Sequence, residues 1–462
     1  MRVLLVVYDN DSFIHWFPQG TAYIAAALRV AGHSVSIWSQ DFHHYPDEAL
    51  TAYLDANEFD VVGIGLIAGY YQYQRLIGLS RAVNSARKRP IFVLGGIGPT
   101  PEPEFFMRKS EADYVVLGEG EETVVELFDA LANKTAVDKI AGIAYRDGDK
   151  IKVTPRRPLI ADLSKIHYPA YDLFPIEHYR MLRLFRMTNS DFAMPVLSGR
   201  GCTFQCTFCY RMDEGFRPRD PEDFLEEVAM LQKDYGITYI LFSDELLMSS
   251  KQRTIEICEA ILKRNMNIKW SCNGRLNYAT PEVLGLMRKS GCMFINYGIE
   301  AFDNEVLKLM RKGLNVSQIV TGIENTLAAD IAPGLNMLFG NVGDNRETLH
   351  KATDFLLKYD DLSQMRTIRP VTPYPGSPLY YKAIELGHLK DCEDFYDHKH
   401  INSDLVSVNF TELSDHDFHL SLLEANSELV RNYYTKTLDR QLGTMRHLYE
   451  ECDASFRGYR QN

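Results

Sequence analysis

Three thiols fall within eight residues in the stretch "LSGRGCTFQCTFCYR": Cys202, Cys206 and Cys209, spaced C-x3-C-x2-C. The chain holds eight cysteines in 462 residues, and none comes before Cys202. Thiolates at these short intervals in a loop can converge on one small object, and an iron–sulfur cluster is the natural candidate. Zinc is the structural rival, but it takes a fourth Cys or His, and the nearest histidines in sequence are His178 and His350. A disulfide with a spare thiol is the plainer alternative, disfavoured where a reducing cytosol keeps thiols free. The count matters: a four-iron cubane normally takes four thiolates. Three leave one iron open to a ligand such as the amine and carboxylate of an amino acid.

The elements that must position this loop form two βα series. "RVLLVVY", "SVSIW", "VVGIGL", "IFVLGG" and "DYVVLG" read as buried strands separated by amphipathic helices, which predicts a five-stranded, doubly wound parallel sheet over residues 1–135. Three glycine-bearing loops close its strands: "GIGLIAGYY" with Leu66 and Tyr70, "LGGIGPT" with Gly95 and Gly96, and "LGEGEET" with Gly118, Glu119 and Gly120. Ligands of open α/β sheets bind at such carboxyl ends. Residues 136–190 read as a hairpin turning at Asp147-Gly148-Asp149, followed by a proline-punctuated linker. The second series, 191–405, begins at "PVLSG" and continues through "ITYILFSD", "IKWSCNG", "MFINYGIE", "PGLNMLFG" and "MRTIRPVTP". Six such units predict an open, partial (β/α)6 barrel of the TIM type, with its site at the carboxyl ends of the strands. Residues 406–462 read as mostly helical.

"CTFQCTFCY" after a barrel strand resembles the signature of radical S-adenosylmethionine (SAM) enzymes, with Phe208 before the third cysteine and Tyr210 after it. The resemblance implies a [4Fe-4S] cluster on Cys202, Cys206 and Cys209 whose open iron chelates SAM. It also implies SAM contacts at successive strand ends: Tyr210, Asp244 and Glu245 in "LFSDELL", Asn273 and Arg275 in "SCNGRLN", Glu300 in "YGIE", and Gly340 in "NMLFGNVG". Taken singly, each of these carboxylates reads equally well as a strand-end or capping group. A Rossmann-like domain ahead of such a barrel is similar to the cobalamin-binding subclass, which makes the three glycine loops its expected cobalamin contacts. The D-x-H-x-x-G motif that supplies a histidine ligand is absent, since Asp11 and His15 stand at another spacing; members of this subclass often lack it.

The implied activity is methyl transfer. Cluster-bound SAM gives a 5′-deoxyadenosyl radical that takes hydrogen from a small-molecule substrate, and the substrate takes methyl from methylcobalamin. A non-methylating rearrangement or oxidative cyclisation on the same cofactors is the alternative, and a non-catalytic cobalamin or redox-binding protein the rival from another class. Electrons are expected from a partner such as flavodoxin or ferredoxin. The net charge of −12 gives no reason to expect a nucleic-acid backbone as partner. The short apolar run of "MRVLLVVYDN" is no signal peptide, and no stretch approaches a membrane span, so a cytoplasmic location is expected. Cys258, Cys272, Cys292, Cys392 and Cys452 read as buried small hydrophobes, and the region around Tyr396, His398 and His400 as a candidate lid.

Overall fold

Strands β1 (Arg2–Val7), β2 (Ser34–Ser39), β3 (Val61–Gly65), β4 (Ile91–Gly95) and β5 (Tyr114–Val116) pair in parallel, in the order β2-β1-β3-β4-β5. The computed structural model describes residues 1–11, 16–211 and 214–452; His15 lies outside them. Val3 to Val7 are buried on both faces of β1, as a central parallel strand requires. Helices Gln19–Val30 and Glu121–Ala132 cover one face through Ala25, Leu28, Leu127 and Phe128. Helices Asp47–Ala56, Tyr70–Asn84 and Pro103–Ser110 cover the other.

The hairpin β6 (Ile143–Asp147) and β7 (Lys150–Val153) differs from its expected separate status. It pairs antiparallel with β5 and extends the same sheet to seven strands. The physical reason is edge protection: β5 would otherwise leave its backbone groups unpaired. The supposed lid also sits elsewhere. Tyr380, Phe395 and Tyr396 are buried in the first domain's core, where Tyr396 stacks on Phe105 at 5.8 Å. His400 is fully buried as well.

Six further parallel strands make the barrel: β8 (Ala193–Val196), then, beyond the short antiparallel pair β9 (Gly199–Cys202) and β10 (Gly215–Pro218), β11 (Tyr239–Phe242), β12 (Lys269–Gly274), β13 (Cys292–Glu300), β14 (Ala332–Phe339) and β15 (Ile368–Pro370). Their order is β8-β11-β12-β13-β14-β15, and β8 and β15 do not pair, so the barrel is open. The helices between strands carry side-chain caps that fix where each strand-end loop stops. Asp220, Ser250 and Thr280 each accept from the first turn, and Asn315 and Asn345 close capping boxes. A 36-residue helix, Asp415–Glu450, ends the described chain, anchored by Phe418 against Phe339. Among the described residues no helix is long and apolar enough to cross a membrane.

Candidate functional site

Cys202 closes β9, so the first thiol is set by a hairpin rather than by a free loop. The turn that follows is pinned from two sides: Thr207 N donates to Met310 O at 3.0 Å, and Leu379 N donates to Thr207 O at 2.8 Å. All three thiols are free, and they are close enough to act on one another electrostatically. Burial, then Glu245 and Cys206, pushes the Cys202 thiol up. Crowding by protein, then Cys206 and Glu245, pushes Cys209 up to about 12. Opposing these charges are two cations. Arg275 lies 3.3 Å over the Phe204 ring, faces Cys206 and donates to the Lys312 carbonyl. Lys312 sits 5.5 Å from the Phe208 ring centre and pairs with Glu300 at 3.2 Å. Glu300 itself has φ +71° at an irregularity of β13. Among the described residues no three His, Cys, Asp or Glu side chains are drawn together tightly enough to form a ready metal site, but three neighbouring thiols with cations beside them are chemically suited to an anionic iron–sulfur cluster.

Beneath the hairpin lies a cavity of about 560 Å³ at the carboxyl ends of β1, β3 and β4. It descends between the sheet and the helices Gln19–Val30 and Glu121–Ala132 as far as Val93 and Phe128. Leu66, Gly95, Gly96, Gly118, Glu119 and Gly120 all line it. Gly96 has φ +96°, and a Cβ there would lie 2.5 Å from the Leu66 carbonyl, so the β3 and β4 loops touch only because this residue is glycine. A Cβ on Gly118, at φ +74°, would meet nothing within 4 Å; the bare backbone there faces open space. Tyr70 is turned elsewhere, edge-on to His400 at 6.3 Å.

The barrel supplies part of this cavity. Leu197 and Arg200 reach its rim, and Arg200 pairs with Glu119 at 2.8 Å and Glu121 at 2.6 Å. Arg217, across the hairpin, donates to both oxygens of Glu119 at 2.9 Å, and Ile160 N adds a fourth hydrogen bond at 2.8 Å. Burial acts to raise the Glu119 carboxyl, but the bonds from Arg217, Arg200 and Ile160 outweigh it and hold it below the ordinary carboxylate range. Glu119 is therefore consumed as an interdomain clamp, a role its glycine-rich surroundings do not disclose.

Residues 196–356 match the Radical SAM superfamily and residues 7–128 the B12 binding domain. The chain therefore carries both a radical SAM domain and a B12 binding domain. It is 29 % identical over 396 residues, 83 % of each chain, to an uncharacterized methyltransferase of Pyrococcus horikoshii. It is 27 % identical to the anaerobic magnesium-protoporphyrin IX monomethyl ester cyclase of Rubrivivax gelatinosus, covering 82 % of this chain and 68 % of the cyclase. Its fold matches the radical SAM methyltransferase TsrM from Kitasatospora setae, solved with cobalamin and a [4Fe-4S] cluster, at a TM-score of 0.70 and 18 % identity over 83 % of this chain and 78 % of that one.

As a radical SAM barrel, the chain distributes its strand-end polar groups unevenly. Glu245 faces the thiols. Asp244 does not serve as an open contact: fully buried, it accepts from Ser198 N at 2.6 Å and Ser198 Oγ at 2.5 Å, tying the end of β11 to that of β8. Desolvation raises its carboxyl to about 6. Arg275 is spent on the cysteine loop, as above. The vacant side of Gly340 meets the Phe418 ring at 2.8 Å, so its small size admits the C-terminal helix. Tyr210 packs on Gly376 and, through it, Pro101 of the first domain. Asn273 donates to Asp244 O at 2.8 Å and accepts from Asn296 at 3.0 Å, which accepts from Asn336 at 3.1 Å. Lys312, Asn296 and Asn336 were not singled out in sequence. Asn273 and Asn296 are register partners on β12 and β13, and Asn336 stands opposite Gly298, two residues further on; an asparagine in each of three successive strands is a signal that could have found them, whereas Lys312 has none. Of the remaining cysteines, Cys258, Cys272, Cys292 and Cys392 are buried, whereas Cys452 is exposed, because it follows a helix end that no core covers.

Proposed function

We propose that the protein is a cobalamin-dependent radical SAM methyltransferase acting on a small organic molecule. The observation that carries this reading is that Arg200, on the hairpin ending in Cys202, also lines the glycine-edged cavity of the first domain. The same hairpin thus carries Cys202 and a side chain of the cavity's rim. When bound, the cluster and SAM would supply a carbon-centred radical and cobalamin a transferable methyl group. Cys202, Cys206 and Cys209 would hold the cluster, and the Gly96 and Gly118 loops would receive cobalamin. Arg275 and Lys312 offset thiolate charge, Glu245 would face the SAM amino group, and Asn296 and Asn336 present amides along the lumen. The Arg200–Glu119 contact between the domains would help keep water away from the chemistry there. Electrons would come from a reducing protein such as flavodoxin or ferredoxin, in the cytoplasm.

The test is anaerobic reconstitution with iron, sulfide and cobalamin, followed by analysis of SAM products under strong reduction. Formation of both 5′-deoxyadenosine and S-adenosylhomocysteine is expected. Absence of any SAM cleavage overturns the enzymatic reading. The similarity to the magnesium-protoporphyrin cyclase favours oxidative cyclisation as the second reading; it predicts 5′-deoxyadenosine without S-adenosylhomocysteine.

A further inference from the structure

The C-terminal helix Asp415–Glu450 buries Phe418, Ser421, Leu422, Ala425 and Leu429, all in its first half. Asn432 still reaches the body, its Nδ2 donating to Asp360 at 2.9 Å. From Val430 to Glu450 no residue of the helix is buried. A helix projecting into water without packing is marginal, and Thr435, Thr437 and Gly443 weaken it further. Yet Tyr434, Leu438, Leu442, Met445 and Tyr449 recur along it every three or four residues, each 38–69 % exposed. Leu420 and Leu423 continue the same line on the anchored half, at 41 % and 62 %. At about 100° per residue all seven share one face. The stripe from Leu420 to Tyr449 is on the order of 45 Å long.

The charges say what covers it. From Asp415 to Val430 the helix carries Asp415, Asp417, Glu424 and Glu428 and no Lys or Arg. From Arg431 to Glu450 it carries Arg431, Lys436, Arg440 and Arg446 against Asp439 and Glu450. The helix is thus complementary to itself when reversed, whereas a parallel copy would set like charge on like. We propose that this face is an interface between two copies of the chain, paired antiparallel about a two-fold axis between Tyr434 and Thr435. That register sets Leu420 opposite Tyr449 and lays the Leu423–Glu424 step against the Met445–Arg446 step, which brings Glu424 beside Arg446, each twice by symmetry.

The test is the mass of the full chain in solution, by sedimentation equilibrium at micromolar concentrations. Twice the 52.9 kDa chain mass is expected. Leu438→Glu combined with Met445→Glu should give single chains with an unchanged near-ultraviolet spectrum. Glu424→Arg alone should weaken association about tenfold, through two lost pairs and two repulsions, and adding Arg446→Glu should restore it. A wild-type chain that stays at single mass at tens of micromolar overturns the proposal, whether or not it binds lipid vesicles instead. So does a dimer indifferent to Leu438→Glu with Met445→Glu, or one in which Arg446→Glu fails to rescue Glu424→Arg.

Discussion

Replacing Glu119 by glutamine removes one charge, keeps the side chain's volume and spares the hydrogen bond from Ile160 N. It leaves Arg217 without the carboxylate that takes both its Nη groups, while Arg200 keeps Glu121. Side chains of Glu119, Arg200 and Arg217 are 5 %, 16 % and 15 % exposed, so solvent repairs little of the loss. Breaking a buried pair at one partner costs about 3–5 kcal/mol. Because Arg200 keeps a partner, the expected loss lies at the lower end, about 3 kcal/mol. It should fall on the coupling between domains, since Glu119 belongs to the first and both arginines to the barrel hairpin. The tryptophans report this: Trp16 and Trp38 lie in the first domain and Trp270 in the barrel. Urea unfolding followed by tryptophan fluorescence and by far-ultraviolet circular dichroism should coincide in the wild type, whereas in Glu119→Gln the two curves should separate. Lowering pH should reproduce the effect. The folded-state value of Glu119 is depressed, so its contribution is present above the unfolded value and is lost as pH falls through the folded one. Loss of less than about 1 kcal/mol, the range of exposed pairs, would refute the reasoning.

Alanine at Cys202, Cys206 or Cys209 should abolish iron and sulfide incorporation, measured chemically after reconstitution, whereas Cys272→Ala should leave it intact. Gly96→Ala places a methyl 2.5 Å from the Leu66 carbonyl at φ +96°; it should cost upwards of about 1 kcal/mol in backbone strain alone, and cobalamin uptake followed by absorbance should fall with it. Gly376→Ala drives a methyl to 2.6 Å from the Tyr210 ring and 2.7 Å from Pro101, so it should impair cluster assembly while the first domain's cobalamin uptake persists. Asp244 has a raised folded value, about 6 against 3.8. Its contribution therefore declines as pH rises between those values, opposite in sign to Glu119, and Asp244→Asn should remove that part of the stability profile.

The cysteine triplet stands out in the sequence because its pattern is local: three thiols at this spacing point to a cluster, whatever surrounds them. The alternation of buried strands with capped helices is local in the same way. Thr280, a threonine just ahead of Pro281, caps the helix Pro281–Lys289, and Gly291 follows its end at φ +101°. Roles that depend on approach between distant segments were not readable. "LGEGEET" marks a ligand edge, yet nothing in it announces that Glu119 meets arginines 81 and 98 residues away. Gly340 and Asp244 fit a pattern of strand-end contacts, but a glycine's neighbour and a carboxylate's donor are chosen by packing, which brought Phe418 to one and Ser198 to the other. Lys312 reaches Phe208 only because the cysteine turn folds back over the barrel. The sequence by itself determined which chemistry the chain can hold and the elements that carry it. The tertiary structure decided which side chains remain available for that chemistry, because a charge spent on a buried partner has no more to offer a ligand.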